Sequence, residues 1–280
     1  MGMLDDKVTL VTGATSGIGE RTVELFVSEG ARVVFTGRRK PEGDTIAARL
    51  GANVTFLQAD ATSESDWQRV IKHVLDHHGR LDALFNNAGG PAPTGGIENI
   101  PVEGFDAAMA LLVRSVLLGM KHSAPIMKRQ RSGSIINNGS IAAHLAGYSS
   151  SMVYSAAKAA VVHLTRCVAM ELGEHGVRVN SVSPGAIATG ILAKALGMED
   201  ATEADAMAGK IETIYSKAQP IPRSGVSDDI AQCVSWLASD RSTFVNGEDI
   251  VVDGGAIRGR PFTAHQQSLQ QTRTLLGLGS

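Results

Sequence analysis

A short, mostly β-branched run, Val8 to Val11, passes directly into Thr12-Gly13-Ala14-Thr15-Ser16-Gly17-Ile18-Gly19, and a helical apolar period then runs from Ile18 to Ser28. Three glycines at the join of a strand and a helix constrain this chain more than any other feature. Glycine reaches positive φ without steric cost and carries no Cβ, so the turn can be tight and its backbone can approach a ligand closely. The helix that follows presents unpaired N–H groups and the positive end of its dipole. A pyrophosphate suits that arrangement, and the position between first strand and first helix makes dinucleotide binding the expectation. The spacing is G-x-x-x-G-x-G rather than G-x-G-x-x-G.

The strand-then-helix alternation continues along the chain. Strands are expected at Val8 to Val11, Arg32 to Thr36, Val54 to Gln58, Ala83 to Asn86, Ser134 to Asn138, Arg178 to Val182 and Asp249 to Val252. Amphipathic stretches lie between them at Ile18 to Ser28, Thr45 to Leu50, Glu64 to His77, Gly104 to Arg129, Met152 to Glu174 and Ser227 to Ser239. The strand runs are almost continuously apolar, as they are when helices cover both faces of a sheet. This order predicts an α/β fold, a doubly wound parallel sheet with right-handed crossovers in a three-layer α/β/α domain. The domain is expected over residues 1–256, with 257–280 as a C-terminal extension whose Thr263 to Leu276 portion reads as a short helix. Two segments break the rhythm: a Gly/Pro-rich loop, Gly90 to Gly96, and a polar, alanine-rich insertion, Ile191 to Ala218, placed to cap a pocket.

Composition narrows the function classes. At 280 residues with 43% hydrophobic content, the chain can bury a sizeable core, and a net charge of -2 gives no electrostatic case for nucleic acid or an anionic membrane. Met1 to Lys7 is polar and lacks the apolar core of a signal peptide, and no stretch approaches the ~20 apolar residues that span a bilayer. A soluble, cytoplasmic protein is expected. Cys167 and Cys233 lie far apart in sequence, so they suggest neither a disulfide framework nor a metal cluster, and each reads as a small buried residue. His144 and His163 show no ligand spacing, and no metal is expected.

The chemistry points to Tyr154-Ser155-Ala156-Ala157-Lys158, with Ser140 fourteen residues before the tyrosine. Positions four apart share a helix face, so phenol and ammonium can enter one site. A nearby cation favours phenolate and lowers a tyrosine pKa, which suits the residue to exchange a proton with an alcohol oxygen. Ser140 can hydrogen-bond the same oxygen.

Thr12-Gly13-x-x-x-Gly17-Ile18-Gly19, Asn86-Asn87-Ala88-Gly89, Ser140, Tyr154-x-x-x-Lys158, Asn180 and Pro184-Gly185 occur in the order of the short-chain dehydrogenase/reductase family, which the chain resembles over roughly residues 5–255. The resemblance implies a Rossmann-type domain, an NAD(P)(H) cofactor and a reversible carbonyl/alcohol reaction on a small molecule. It implies Tyr154 as general acid/base, Lys158 as the residue that tunes it and holds the nicotinamide ribose, and Ser140 as the carbonyl's partner. It also implies cofactor contacts from Gly13, Thr15, Ser16, Gly17, Ile18, Gly19, Arg38, Asp60, Asn87, Gly89, Tyr154, Lys158, Pro184, Gly185, Ile187 and Thr189. Asn86 resembles the residue that shapes the turn below the cofactor, or else it satisfies strand-end backbone; Asn180 reads as structural.

The second strand ends Thr36-Gly37-Arg38-Arg39-Lys40, with glycine where NAD-preferring relatives usually carry aspartate. Arginine there accommodates a 2′-phosphate, so NADP(H) is expected; with NAD as the alternative, Arg38 would stack on adenine. Asp60 matches an adenine-contacting aspartate, or caps the following helix. One family part is missing: Leu112 stands where an asparagine usually helps hold a relay water, and Asn138 is either its substitute or an ordinary strand residue. The expected function is hydride transfer between NADP(H) and a secondary alcohol/ketone. The alternative is a catalytically weak NAD(P)-binding redox sensor or interaction protein. The resemblance further implies a dimer or tetramer through the helices at Gly104 to Arg129 and Met152 to Glu174. Tyr148 and Tyr215 are candidate substrate contacts.

Overall fold

The computed structural model describes residues 2–278. Seven strands form one sheet: β1 (Val8–Val11), β2 (Arg32–Gly37), β3 (Val54–Gln58), β4 (Ala83–Asn86), β5 (Gly133–Asn138), β6 (Val177–Pro184) and β7 (Asp249–Val252). All neighbours are parallel and the order is 3-2-1-4-5-6-7. The doubly wound sheet read from the sequence is the sheet observed. Its connections turn one way from β1 through β3 and the other way from β4 onward. The C-terminal ends of β1 and β4 therefore diverge, which opens a crevice where open α/β sheets bind ligands.

The helices are α1 (Gly17–Ser28), α2 (Lys40–Leu50), α3 (Glu64–His78), α4 (Val102–Met109), α5 (Ser115–Gln130), α6 (Met152–Gly173), α7 (Ile191–Ala195), α8 (Ala201–Ala206), α9 (Ala208–Tyr215), α10 (Ser227–Ala238) and α11 (Phe262–Leu275). Strand side chains alternate between faces, and the buried residues divide accordingly. Leu10, Val34, Leu84, Ile135 and Val179 pack against Trp67 and Val74 of α3, Val116 and Met120 of α5, and Val161 and Leu172 of α6. Val11, Val33, Phe35, Phe85 and Ile136 pack on the other side, against Val23 and Phe26 of α1, Ile46 of α2, and Ile230 and Val234 of α10. The result is three layers with apolar side chains on both faces of the sheet.

Two details differ from expectation and a third agrees with it. The stretch expected as one helix over Gly104 to Arg129 divides into α4, a single π turn at Ala110–Arg114, and α5. Cys167 lies exposed on α6 rather than buried, and Cys233 is half-buried. The extension does form a helix, α11, but it contributes no buried residue. Phe85 is fully buried in β4. Phe85→Ala is expected to cost about 3–5 kcal/mol, measured as a lower urea midpoint at unchanged m.

Candidate active site

The turn after β1 can form only with glycine at its key positions. Gly13 has φ 63° and Gly17 φ 60°, and a Cβ on Gly13 would lie 2.6 Å from Cα of Ala88. That contact joins the β1 turn to the β4 turn. Asn87 reinforces it, donating from Nδ2 to the carbonyls of Thr12 and Gly13, both at 3.0 Å. Thr12 Oγ1 in turn accepts from the N–H groups of Asn87 (3.1 Å) and Ala88 (3.0 Å). The brace expected of Asn86 thus belongs to Asn87. Asn86 is buried and donates to Oδ1 of Asn137 at 2.9 Å. Asn180 donates to the Val245 carbonyl and accepts from the Glu248 N–H, the structural part expected of it.

Ser16 occupies the N-cap of α1, yet its side chain does not cap the helix. Its Oγ instead accepts from Arg39 Nη2 at 2.8 Å. Without a side-chain cap, the first N–H groups of α1 face the crevice with the positive end of the helix dipole. Arg39 also donates to Thr15 Oγ1 (3.3 Å) and the Thr15 carbonyl (3.2 Å), so its guanidinium grips the turn. Arg38 is exposed and lines a cavity of about 870 Å³ with Thr15, Ser16, Gly37, Asp60 and Gly89. Asp60 does not cap α3, a task taken by Ser63. One Asp60 oxygen accepts from both the N–H and hydroxyl of Thr62 at 2.8 Å.

A second cavity, about 200 Å³, adjoins the first and holds Ser140, Tyr154, Lys158, Leu112 and Asn138 together with Pro184, Gly185, Ile187 and Thr189. The strand ends and α6 thus bring all three proposed chemical residues to one place. Ser140 is set by backbone: its N–H donates to Ser183 Oγ at 3.1 Å. Asp249 accepts from Ser183 (2.9 Å), Ser181 (2.5 Å) and His144 (2.6 Å). Tyr154 lies in the first turn of α6, whose N-cap Ser151 accepts from the Tyr154 N–H and donates to the Pro93 carbonyl at 2.6 Å. That bond ties α6 to the Gly90 to Gly96 loop. Tyr215 also lines this cavity, whereas Tyr148 turns its hydroxyl to the Ala256 carbonyl at 2.9 Å.

The electrostatics reverse one expectation. Lys158 Nζ stands 5.6 Å from the centroid of the Tyr154 ring and donates to the Asn138 carbonyl at 2.6 Å. Burial pushes Tyr154 up to about 12, with a Ser140 hydrogen bond pulling the other way, and pushes Lys158 from 10.5 down to about 8. Desolvation disfavours whichever form is charged, and it is the largest cause for both groups. Leu112, at 1% exposure, sits in the π turn against Ala108, Val153, Ala157 and the Tyr154 ring. Asn138 ends β5, donates to Asn87 Oδ1 at 3.0 Å, and leaves its own Oδ1 buried without a partner.

Sequence reasoning missed Arg39, Ser183, Asp249, Ser151 and the ion pairs of Lys194 and Asp205. Only adjacency to Arg38 and the Pro184-Gly185 motif hinted at the first two.

A sheet with its crevice at the β1/β4 switch, a glycine turn opening α1, and a Ser/Tyr/Lys cavity beside it define a nicotinamide-nucleotide oxidoreductase fold. The comparisons agree. Residues 13–256 match the family model described as enoyl-(acyl carrier protein) reductase. The chain is 37% identical to momilactone A synthase of Oryza sativa subsp. japonica, covering 89% of each chain. It is also 37% identical to (+)-borneol dehydrogenase 2 of Salvia officinalis, covering 95% of this chain and 93% of that one. The crystal structure of levodione reductase superposes with a TM-score of 0.82 at 30% identity, covering 92% of this chain and 100% of the other. The chain belongs to the short-chain dehydrogenase/reductase family, whose members bind NAD(P) and act on small molecules. No described helix is long and apolar enough to cross a membrane.

The charged form of Lys158 is disfavoured in the folded chain by on the order of 3 kcal/mol. Lys158→Met removes that penalty and is expected to raise stability at pH 7 by roughly 1–3 kcal/mol. The unfolded chain keeps this proton up to about 10.5, while the folded chain releases it from about 8. Wild-type stability therefore rises with pH across that window, and the variant's advantage shrinks there. Denaturant unfolding at stepped pH measures the gap, and a gap constant from pH 7 to 10 contradicts the assignment.

Proposed function

We propose that the protein is an NADP(H)-dependent reductase or dehydrogenase for a secondary alcohol/ketone pair, working in the cytoplasm, with residues 1–256 as its catalytic domain and 257–280 as an extension. The observation that carries this reading is the meeting of Ser140, Tyr154 and Lys158 in one cavity that shares Gly13, Ser16 and Gly89 with the larger cavity beneath Arg38. The site suits a dinucleotide. Gly13 brings the β1 turn against the β4 turn, α1 starts without a side-chain cap, and the two cavities share Gly13, Ser16 and Gly89 along the turn. When bound, the nicotinamide supplies or accepts the hydride.

The chain's own residues do the rest. Ser140 donates a hydrogen bond to the substrate oxygen, and its backbone is held by Ser183. Tyr154 gives the alcohol oxygen its proton in reduction and takes it back in oxidation. A phenol held near 12 is a reservoir that keeps its proton until an oxygen of rising basicity needs it. Lys158, anchored on the Asn138 carbonyl, stabilises the phenolate left behind and meets the nicotinamide ribose. The turn residues Gly13, Thr15, Ser16, Gly17, Ile18, Gly19, Asn87 and Gly89 receive the diphosphate side. Asp60 would hold the adenine end, and Pro184, Gly185, Ile187 and Thr189 would hold the nicotinamide end. Arg38 has no acidic neighbour at Gly37, and its exposed guanidinium is free to take a 2′-phosphate bidentately.

The small and apolar residues of the loops at Gly90 to Gly96, Ala142 to Met152 and Gly185 to Ala188 suit a neutral, moderately hydrophobic ketone. Leu117 of α5 with Ala156, Ala159 and Met170 of α6 stand exposed on the outer helical layer, and that face suits assembly into a dimer or tetramer.

Parallel calorimetric titrations with NADPH and NADH test the cofactor reading. NADPH is expected to bind more tightly, and Arg38→Asp to reverse the order; tighter NADH binding by the wild type would overturn it. A panel of ketones then tests chemistry. Tyr154→Phe is expected to lower kcat by at least about 10² with little change in nucleotide Kd. Leu112, which cannot hydrogen-bond, favours a second reading, a nucleotide-binding sensor with little turnover. Binding of NADPH without oxidation across the panel supports the sensor. If the enzyme reading holds, Leu112→Asn is expected to leave kcat unchanged or raise it.

A further inference from the structure

Four cations line the two cavities: Arg38, Arg39, Lys158 and Lys194. Three of them have partners in the protein. Arg39 spends its donors on Thr15, Ser16 and Asp205, and Lys158 is anchored on the Asn138 carbonyl. Lys194 is different. It projects from α7, outside the βα turns that usually supply phosphate contacts, and it lines both cavities along with Gly13, Ser16, Gly89 and Gly90. The junction it overlooks is therefore the glycine turn itself. Its Nζ pairs with Asp205 Oδ1 at 2.8 Å, and the other oxygen of Asp205 pairs with Arg39 Nη1 at 3.0 Å. Gly190 permits the arrangement, because a Cβ there would collide with Asp205.

We propose that Lys194 is a lid-borne binding residue for the diphosphate of the dinucleotide. It lines both cavities beside Gly13 and Ser16, and Asp205 is its partner until a phosphate replaces it. An ammonium carries three donors, and Asp205 takes one of them in this structure. The remaining donors and the charge suit oxygens of a diphosphate lying along the turn, whose other face receives the N–H groups of α1. The role divides phosphate recognition between two residues of the chain. Arg38 meets the phosphate that distinguishes NADP from NAD, and Lys194 meets the one common to both. This inference rests on the nucleotide reading above and adds a residue to it.

The test is calorimetric titration of the full-length protein with NADPH, NADH and ADP-ribose, the last keeping the diphosphate but lacking nicotinamide and 2′-phosphate. Lys194→Met is expected to weaken all three by a similar factor, roughly 10- to 100-fold. Arg38→Ala is expected to weaken NADPH alone, and Lys194→Arg to retain most of the affinity. Asp205→Asn keeps the side-chain shape and removes a carboxylate beside the diphosphate, so affinity is expected to hold or rise. Parallel weakening by Lys194→Met and Asp205→Asn overturns the proposal, because a purely structural ion pair behaves that way. Unchanged ADP-ribose binding by Lys194→Met overturns it as well while leaving the nucleotide reading intact. Failure of the wild type to bind any of the three overturns both.

Discussion

Everything at this site depends on one close approach of backbone to backbone. The β1 turn and the β4 turn touch where Gly13 meets Ala88, with no space for a Cβ. Parallel strands on either side of a switch point would otherwise splay, and the crevice between them would be an ordinary gap. Thr12 and Asn87 stitch the two turns through four hydrogen bonds of 3.0 to 3.1 Å. The stitching uses up the polar groups that would otherwise satisfy one another across the crevice. It leaves the first N–H groups of α1 directed outward, where a phosphate can use them. The strand order thus opens the crevice, and Gly13 and Asn87 give it a fixed shape.

The second constraint is the burial of an amine. Lys158 is 4% exposed and pairs with no carboxylate among the described residues; its one protein partner is the Asn138 carbonyl. A fold selected only for stability would place an apolar residue there, since a buried charge lacking an ion partner is costly. Tyr154 beside it suffers the opposite shift for the same reason. Burial therefore pushes both groups toward their neutral forms, beside an apolar cluster of Leu112, Val153 and Ala157, although Lys158 near 8 still carries its proton at neutral pH. Such stored electrostatic strain belongs at sites where a developing charge on another molecule can relieve it.

Much of this was legible in the sequence because the signals are local. Short, nearly continuous apolar runs marked all seven strands, a period of 3.6 marked the main helices, and the glycine spacing marked the crevice. The errors share a cause. Asn86 and Asn87 are adjacent, and alternation along a strand end decides which one enters the core and which braces the turn. Arg38 and Arg39 differ in the same way: one reaches the cavity wall, and the other folds back onto Thr15 and Ser16. The π turn at Ala110–Arg114 is invisible to a helical period that continues through it, yet it sets where Leu112 points. The raised Tyr154 pKa was missed because spacing on a helix reports proximity to Lys158 and says nothing of desolvation. Neighbouring residues with similar chemistry are separated only by packing, and packing is a tertiary property.

The insertion between β6 and α10 shows how tertiary charge placement can matter more than charge count. Read as sequence, Ile191 to Ala218 holds Lys194, Asp205 and other ionisable residues with no evident order. In the fold, Asp205 lies between Lys194 of its own segment and Arg39 of the nucleotide crevice. These pairs are a quarter exposed, so each one adds little to stability on its own. Their consequence is geometric. One carboxylate fixes the segment relative to the glycine turn, and the turn is fixed in turn by Gly13 against Ala88. Position is thereby transmitted from the rigid sheet to a segment that no strand supports. Of the two ion pairs, Lys194–Asp205 lies within the segment and Arg39–Asp205 crosses to the crevice, while Ala204 and Ile211 are buried, so the segment is held by packing as well as by charge.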